Sequence, residues 1–126
     1  MKLILAMMFA GGVGALLRYG CMRAFAFCSN GFPWGTMFVN LLGAFIAGFA
    51  FILCRTKWPS ETFWVPVLFV GLLGAFTTFS TFALESVRLG MEEQLIKAIA
   101  NVILQNLGGL LAVCAGIFCA KGIFHL

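Results

Sequence analysis

The chain has 126 residues and a formal net charge of +4, and 63% of its residues are hydrophobic while only 10% are charged. Ordinary soluble domains carry roughly 45–50% apolar and about 25% charged residues. This composition excludes a soluble domain and indicates an integral membrane protein. The basic residues are spread thinly around the ends of apolar segments, as membrane-flanking charges are, so we expect no nucleic-acid partner.

Four segments are long and apolar enough to cross a lipid bilayer as helices, which takes about 20 residues each. We predict spans over residues 3–26, 36–54, 63–84 and 98–120. The connections are short, so residues 1–126 form a single four-helix transmembrane domain. Turn-forming residues separate the spans at positions 29–33, 57–60 and 89–90, and three tryptophans lie at these borders: Trp34, Trp58 and Trp64.

In each of the first two spans, a polar residue lies well inside the span among small residues that permit close helix packing. Arg18 follows the glycines of the first span, and its default role inside a membrane is functional, although it can also snorkel to the interface. Asn40 shares a four-residue spacing with Ala44 and Gly48 and lies too deep to snorkel. Its side chain either forms a hydrogen bond between helices or is a donor that lines an ion path.

The third span contains hydroxyls and phenyl rings that are unusual in a membrane helix, within residues 71–82. On an ideal helix at 100° per residue, Phe79 and Phe82 share one face. The hydroxyls share the other: Thr77, Ser80 and Thr81. Hydroxyls and the positive edges of phenyl rings favour an anion without a fixed charge. The alternative is that the hydroxyls bond to their own helix and only assist packing.

Two glycines, Gly71 and Gly74, weaken the third helix just before this cluster and predict freed backbone carbonyls. Freed carbonyls are acceptors that favour a cation. Glu85 closes the polar segment, where it can pair with Arg18 or cap the mouth of a pathway. On the fourth span, Gln105 and Asn106 pose the same question as Asn40, with less reason to favour function.

The remaining residues offer no enzymatic chemistry. The five cysteines show no metal-binding spacing, His125 stands at the C-terminal end, and no carboxylate lies deep in a predicted span. Basic residues divide four against three between the two sides, so the positive-inside rule gives almost no orientation. Such a chain can insert both ways and pair antiparallel. Because four short helices cannot enclose an aqueous path alone, we expect at least a homodimer.

These residues resemble the Fluc, or CrcB, family of fluoride channels over essentially the whole chain. The resemblance lies in residues 11–19 of the first span, residues 35–40 with Gly43 and Gly48 in the second, and residues 71–82 with Glu85 in the third. It implies an all-α, antiparallel, dual-topology homodimer whose third helix is broken at its centre. It also implies two fluoride pathways and one structural sodium ion at the dimer centre.

By position in the family, the carbonyls of Gly74 and Thr77 would hold the sodium ion. The residues matched to the ion pathway are Asn40, Phe79, Ser80, Thr81 and Phe82, and Arg18 and Glu85 also match family positions. The resemblance therefore implies passive export of cytoplasmic fluoride across the plasma (inner) membrane. The alternatives are a small proton-coupled exporter of organic cations, which needs a buried carboxylate, and a membrane subunit without transport of its own.

Overall fold

The computed structural model describes residues 1–28, 30–57 and 63–124 and is helical throughout its regular elements. Four segments can cross a membrane: Lys2–Cys28, Trp34–Lys57, Trp64–Met91 and Leu95–Phe124. Their mean hydropathies of 1.6, 2.3, 1.9 and 2.0 confirm the four predicted spans. The structure extends the third span by seven residues at its end and the fourth by three residues at its start and four at its end.

Helix α1 (Lys2–Phe25) packs against helix α3, which covers residues 64–76 of the third span. Gly14 is buried at this contact, and a Cβ on it would overlap the carbonyl oxygen of Leu72. The backbones can approach only because no side chain intervenes. This approach brings Arg18, one turn beyond Gly14, beside the end of α3.

Helix α2 (Trp34–Lys57) runs alongside helix α5 (Leu95–Phe124). A Cβ on Gly48 would overlap the carbonyl of Val113, and a Cβ on Gly116 would overlap that of Phe45. Small residues on α2 and α5 therefore allow the two helix backbones to approach closely, as predicted.

The third span consists of two helices with different geometry. Helix α3 contains a π-helical stretch, Val67–Leu73, and ends at Phe76, while helix α4 covers Phe79–Met91 and packs on α5. The predicted turn at residues 89–90 is wrong, because α4 continues through them and the chain turns at residues 92–94, where Glu93 has a φ of 59°. The turn predicted at residues 57–60 lies mostly outside the described residues, and so do Trp58 and His125.

Most of the helical surface is apolar and unburied. Within the hydrophobic windows of the first and fourth spans, only 6% and 11% of residues are buried. Large side chains such as Phe9, Leu16, Leu110 and Phe118 are exposed on the outside of the bundle. Lipid tails provide the apolar surroundings that such a surface requires, so the chain is a multi-pass membrane protein.

Candidate functional site

The helix ends and restarts around two threonines in the middle of the third span. Thr77 (φ −83°, ψ 159°) and Thr78 (φ −151°, ψ 110°) are extended. The Thr77 N–H makes the last helical bond, to the Leu73 carbonyl at 3.0 Å. Thr78 then caps α4, since its Oγ1 accepts from the Thr81 N–H at 3.2 Å. The expectation that Thr77 shares a helical face with the later hydroxyls is wrong, because it precedes α4.

Asn40 bridges this interruption from the neighbouring helix. Its Oδ1 accepts from the Thr78 N–H at 2.8 Å, and its Nδ2 donates to the Thr78 carbonyl at 3.1 Å. In an unbroken helix the Thr78 N–H would bond to the Gly74 carbonyl, so Asn40 takes the donor that this carbonyl would otherwise use. The side chain can come this close because α2 has no side chain at Gly43, where a Cβ would overlap the Thr77 methyl group.

Asn40 also begins a series of side-chain hydrogen bonds in which each group donates to the next. Its Nδ2 donates to Gln105 Oε1 at 2.6 Å, and Gln105 Nε2 donates to Asn101 Oδ1 at 2.9 Å. Asn101 Nδ2 donates to Ser86 Oγ at 2.9 Å, and this hydroxyl donates to the Phe82 carbonyl at 2.8 Å. We call these four side chains the amide row. It joins helices α2, α5 and α4.

Two members of the amide row, Asn101 and Ser86, were not among the residues predicted from sequence. Asn101 has no exposed surface. Complete burial of an amide requires hydrogen-bond partners, which Gln105 and Ser86 provide. Its spacing of four residues from Gln105 places both on one face of α5 and was the available signal. Asn106, by contrast, donates to the Val102 carbonyl of its own helix at 2.7 Å, and to no other group in the described part of the chain.

The hydroxyls and phenyl rings cluster at the start of α4. Thr78 Oγ1 donates to Thr81 Oγ1 at 2.9 Å and lies 3.4 Å from Ser80 Oγ. The rings of Phe79 and Phe82 are neighbours, with centroids 5.5 Å apart and planes inclined by 58°. Phe82 is buried, whereas Phe79 is 77% exposed on the single chain. Hydroxyl groups and phenyl rings therefore lie side by side in the first turn of α4.

A cavity of about 410 Å³ opens beside this cluster, and we call it the central cavity. It combines amides and threonines with phenyl rings and small side chains. Its polar and aromatic lining is Asn40, Phe69, Thr77, Thr78, Phe79, Phe82, Gln105 and Asn106, with Leu73, Gly74 and three small residues of α2 completing the wall. Ser80 and Thr81 are not among the residues that line it. They lie between Phe79 and Phe82 in the first turn of α4.

Arg18 contacts the interruption itself, whereas Glu85 lies further along α4, and the two have separate partners. Arg18 Nη1 donates to the Thr77 carbonyl at 3.4 Å. Glu85 Oε1 accepts from the Thr36 hydroxyl at 2.8 Å, while its Oε2 is buried without a hydrogen-bond partner. The pairing of Glu85 with Arg18, one of the two options from sequence, is therefore not what the structure contains. Glu85 also lies inside the third span, one residue beyond the predicted end.

The carbonyls of Gly74 and Thr77, which are predicted to hold a cation, have both lost their usual helical donors. The Gly74 carbonyl has lost its helical donor to Asn40, and the helical donor of Thr77, the Thr81 N–H, bonds to Thr78 Oγ1 instead. Carbonyl oxygens are ligands that suit an alkali cation. Within the described residues no group of three His, Cys, Asp or Glu side chains offers another metal site. The Gly74 carbonyl therefore fits a sodium ion, whereas the Thr77 carbonyl already accepts from Arg18 Nη1 at 3.4 Å and is only partly free for one.

The fold and this site define a class of protein. A small helix bundle whose polar groups converge on a cavity at an interrupted membrane helix is typical of channels and transporters. Residues 5–117 match the family model described as "CrcB-like protein, Camphor Resistance (CrcB)". The chain belongs to this family, as the resemblance of its motifs predicted.

Curated relatives match almost the full chain. A protein of Hydrogenovibrio crunogenus is 38% identical over 122 residues, which cover 96% of this chain and 92% of the relative. One from Legionella pneumophila is 40% identical over 93% of this chain and 88% of its own length. A third, from Desulforapulum autotrophicum, is 42% identical over 89% and 90%. All three are named "Fluoride-specific ion channel FluC". The family is therefore one of channels and not of enzymes.

Proposed function

We propose that this protein is a passive, fluoride-selective ion channel. The observation that carries the proposal is the cluster of hydroxyls and phenyl rings at an interrupted membrane helix, in a chain whose relatives are named for fluoride conduction. Fluoride is small and strongly hydrated, so removing its water is costly unless close donors replace it. Hydroxyls and phenyl edges replace water without a fixed positive charge that would trap the ion.

The proposed pathway follows the start of α4 on its phenyl and hydroxyl faces. Phe79 and Phe82 direct ring edges toward the ion, and the hydroxyls of Ser80 and Thr81 rotate to donate to it. Asn40 has a different part in the proposed pathway, because both of its N–H groups already have acceptors. An ion at Asn40 has to replace one of those acceptors, so we assign this residue to holding the interruption open beside the path.

We further propose that two copies pair antiparallel and close the central cavity. Polar groups exposed on one chain would face lipid, at a cost that a second copy removes. Phe79, which lines the central cavity, and the neighbouring Ser80 are both exposed on the single chain, and the nearly even division of flanking charge supports insertion in both orientations. Each dimer then has two pathways. The carbonyls of Gly74 and Thr77 from both copies would hold one sodium ion, which supplies positive charge to stabilise the interrupted helices.

We propose separate roles for Arg18, at the interruption, and Glu85, further along α4. The bond from Arg18 to the Thr77 carbonyl steadies the extended residues. Glu85 shares a smaller cavity, of about 180 Å³, with Thr36 and Arg88 at the end of the bundle where α1 and α2 are connected. We assign this cavity to the pathway mouth.

Flow through such a path is driven by the fluoride gradient and the membrane potential. A cell that takes up HF from acidic surroundings accumulates fluoride, and a negative interior drives it outward, so we propose export across the plasma (inner) membrane. One observation favours proton coupling as a second candidate. Glu85, with a buried oxygen that has no partner, supplies a carboxylate within a span.

Ion release from liposomes separates these functions. Purified protein is reconstituted in vesicles loaded with fluoride, and release is followed with a fluoride electrode before and after adding a potassium ionophore. A passive channel releases fluoride rapidly only when the ionophore dissipates the charge, and it does not release chloride. Release of a lipophilic cation that depends on a proton gradient would instead establish the second candidate. Silence from verified dimers would contradict both.

A further inference from the structure

A second large cavity lies toward the C-terminal ends of α2 and α5. Its volume is about 430 Å³, and its lining consists of Phe51, Ile52, Arg55, Thr56, Ile117 and Lys121. We call it the basic groove. It shares no lining residue with the central cavity, so the proposed ion pathway does not account for it.

The basic groove has an apolar wall and a cationic rim. Ile52 is buried and Ile117 is partly buried, whereas Arg55 and Lys121 are exposed in the last turns of their helices. The guanidinium of Arg55 lies 5.6 Å from the centroid of the Phe51 ring. The Thr56 hydroxyl donates to the Ile52 carbonyl at 2.8 Å. The two cations are therefore the groups that can donate to a ligand.

Positive charge at this end of the bundle has no described carboxylate to balance it. Glu85, Glu92 and Glu93 all lie toward the other end, where Glu92 pairs with Arg88 at 3.6 Å. Glu61 is outside the described residues. Lys57 adds a third cation near the basic groove. Its Nζ lies 5.8 Å from the centroid of the ring of Phe124, which is the last residue of α5.

We propose that the basic groove binds an anionic phospholipid, with the headgroup phosphate between Arg55 and Lys121 and one acyl chain along Ile52 and Ile117. Both cations lie at the ends of membrane-spanning helices, where headgroups are found. Basic pockets between such helices recognise anionic headgroups. A free phosphate ion would use the cations and leave the apolar wall without a partner. The proposal does not depend on fluoride conduction.

The test measures which lipid stays with the purified protein. The full chain is equilibrated in detergent with equal amounts of dioleoyl phosphatidylglycerol and dioleoyl phosphatidylcholine, and bound lipid is counted by native mass spectrometry. Each cation at an anionic surface contributes about fivefold to binding. Arg55→Gln and Lys121→Gln should each lower the preference for phosphatidylglycerol by that factor, and the double variant by about 25-fold.

The matched control is Lys2→Gln with Arg23→Gln, which removes the same charge from exposed positions outside the basic groove. Preserved preference in this control, with loss in the groove variants, supports the proposal. Equal loss in both double variants, or none in either, overturns it. Displacement of phosphatidylglycerol by equimolar glycerol 3-phosphate would also overturn it, by identifying a site for free phosphate. Variants are compared only when they elute as one species, and the single substitutions decide if the double variant does not fold.

Discussion

Replacing Asn40 with leucine should destabilise the fold more than any other change of one polar side chain in the central cavity. Asn40→Leu removes three hydrogen bonds, two to the Thr78 backbone and one to Gln105. At the average of about 0.6 kcal/mol found for hydrogen bonds between membrane helices, the loss is about 2 kcal/mol. If both Thr78 groups stay buried without partners, at about 1–3 kcal/mol each, the loss approaches about 6 kcal/mol.

The control is Asn106→Leu, which replaces the same residue type in the wall of the same cavity. Within the described part of the chain, Asn106 bonds to a carbonyl of its own helix, which keeps a helical donor, so we expect a loss below about 1 kcal/mol. Stability is measured as the free energy of reversible unfolding in mixed micelles. Fluoride release from liposomes is measured on the same preparations, and it should fall in Asn40→Leu.

Equal stability of the two leucine variants would refute this reasoning. It would mean that water or a second copy satisfies Thr78 as well as Asn40 does. A stable Asn40→Leu protein that releases no fluoride would instead transfer the role of Asn40 from holding the interruption to contacting the ion.

Three further predictions concern the pathway, the cation and the helix contact. Phe79→Ile and Phe82→Ile should each slow fluoride release roughly fivefold to tenfold while dimers persist, since a lost phenyl edge raises the barrier by about 1 kcal/mol; unchanged release in both would remove the rings from the pathway. Thr77→Ala should keep its sodium, measured by emission spectrometry of desalted protein, because the carbonyl survives; loss of sodium would implicate the hydroxyl. Gly48→Leu should cost about 3 kcal/mol of unfolding free energy because its Cβ overlaps backbone, whereas Gly12→Leu, with nothing within 4 Å, should cost little.

The spans and their contact faces could be predicted from sequence because lipid leaves few solutions. An apolar run must be helical in a bilayer, and small residues at four-residue spacing must face another helix, as Gly48 does. The end of the third span could not be predicted in this way. Glu85 and Arg88 interrupt the apolar pattern, yet α4 continues because Glu85 bonds to Thr36 on α2 and Arg88 pairs with Glu92.

The candidate site was only partly predictable for the same reason. The polar residues near the interruption stand out in an apolar chain, so Asn40 and the hydroxyls were found. Which groups they bond to depends on tertiary contacts that no local pattern encodes. Asn101 sits near the start of the fourth span and looks like an interfacial residue until the packing of α5 on α4 places it beside Ser86.

The amide row carries a constraint on how this protein can vary during evolution. Its two ends are fixed by main-chain groups that cannot turn round, the Thr78 N–H and the Phe82 carbonyl. Each member must therefore accept on one side and donate on the other. A change of Gln105 to glutamate would set two acceptors against each other at Asn101, unless the Asn101 amide turned over and the Ser86 hydroxyl donated to its oxygen instead of to the Phe82 carbonyl. A substitution at one member of the row should therefore reverse the bonds of the members beyond it.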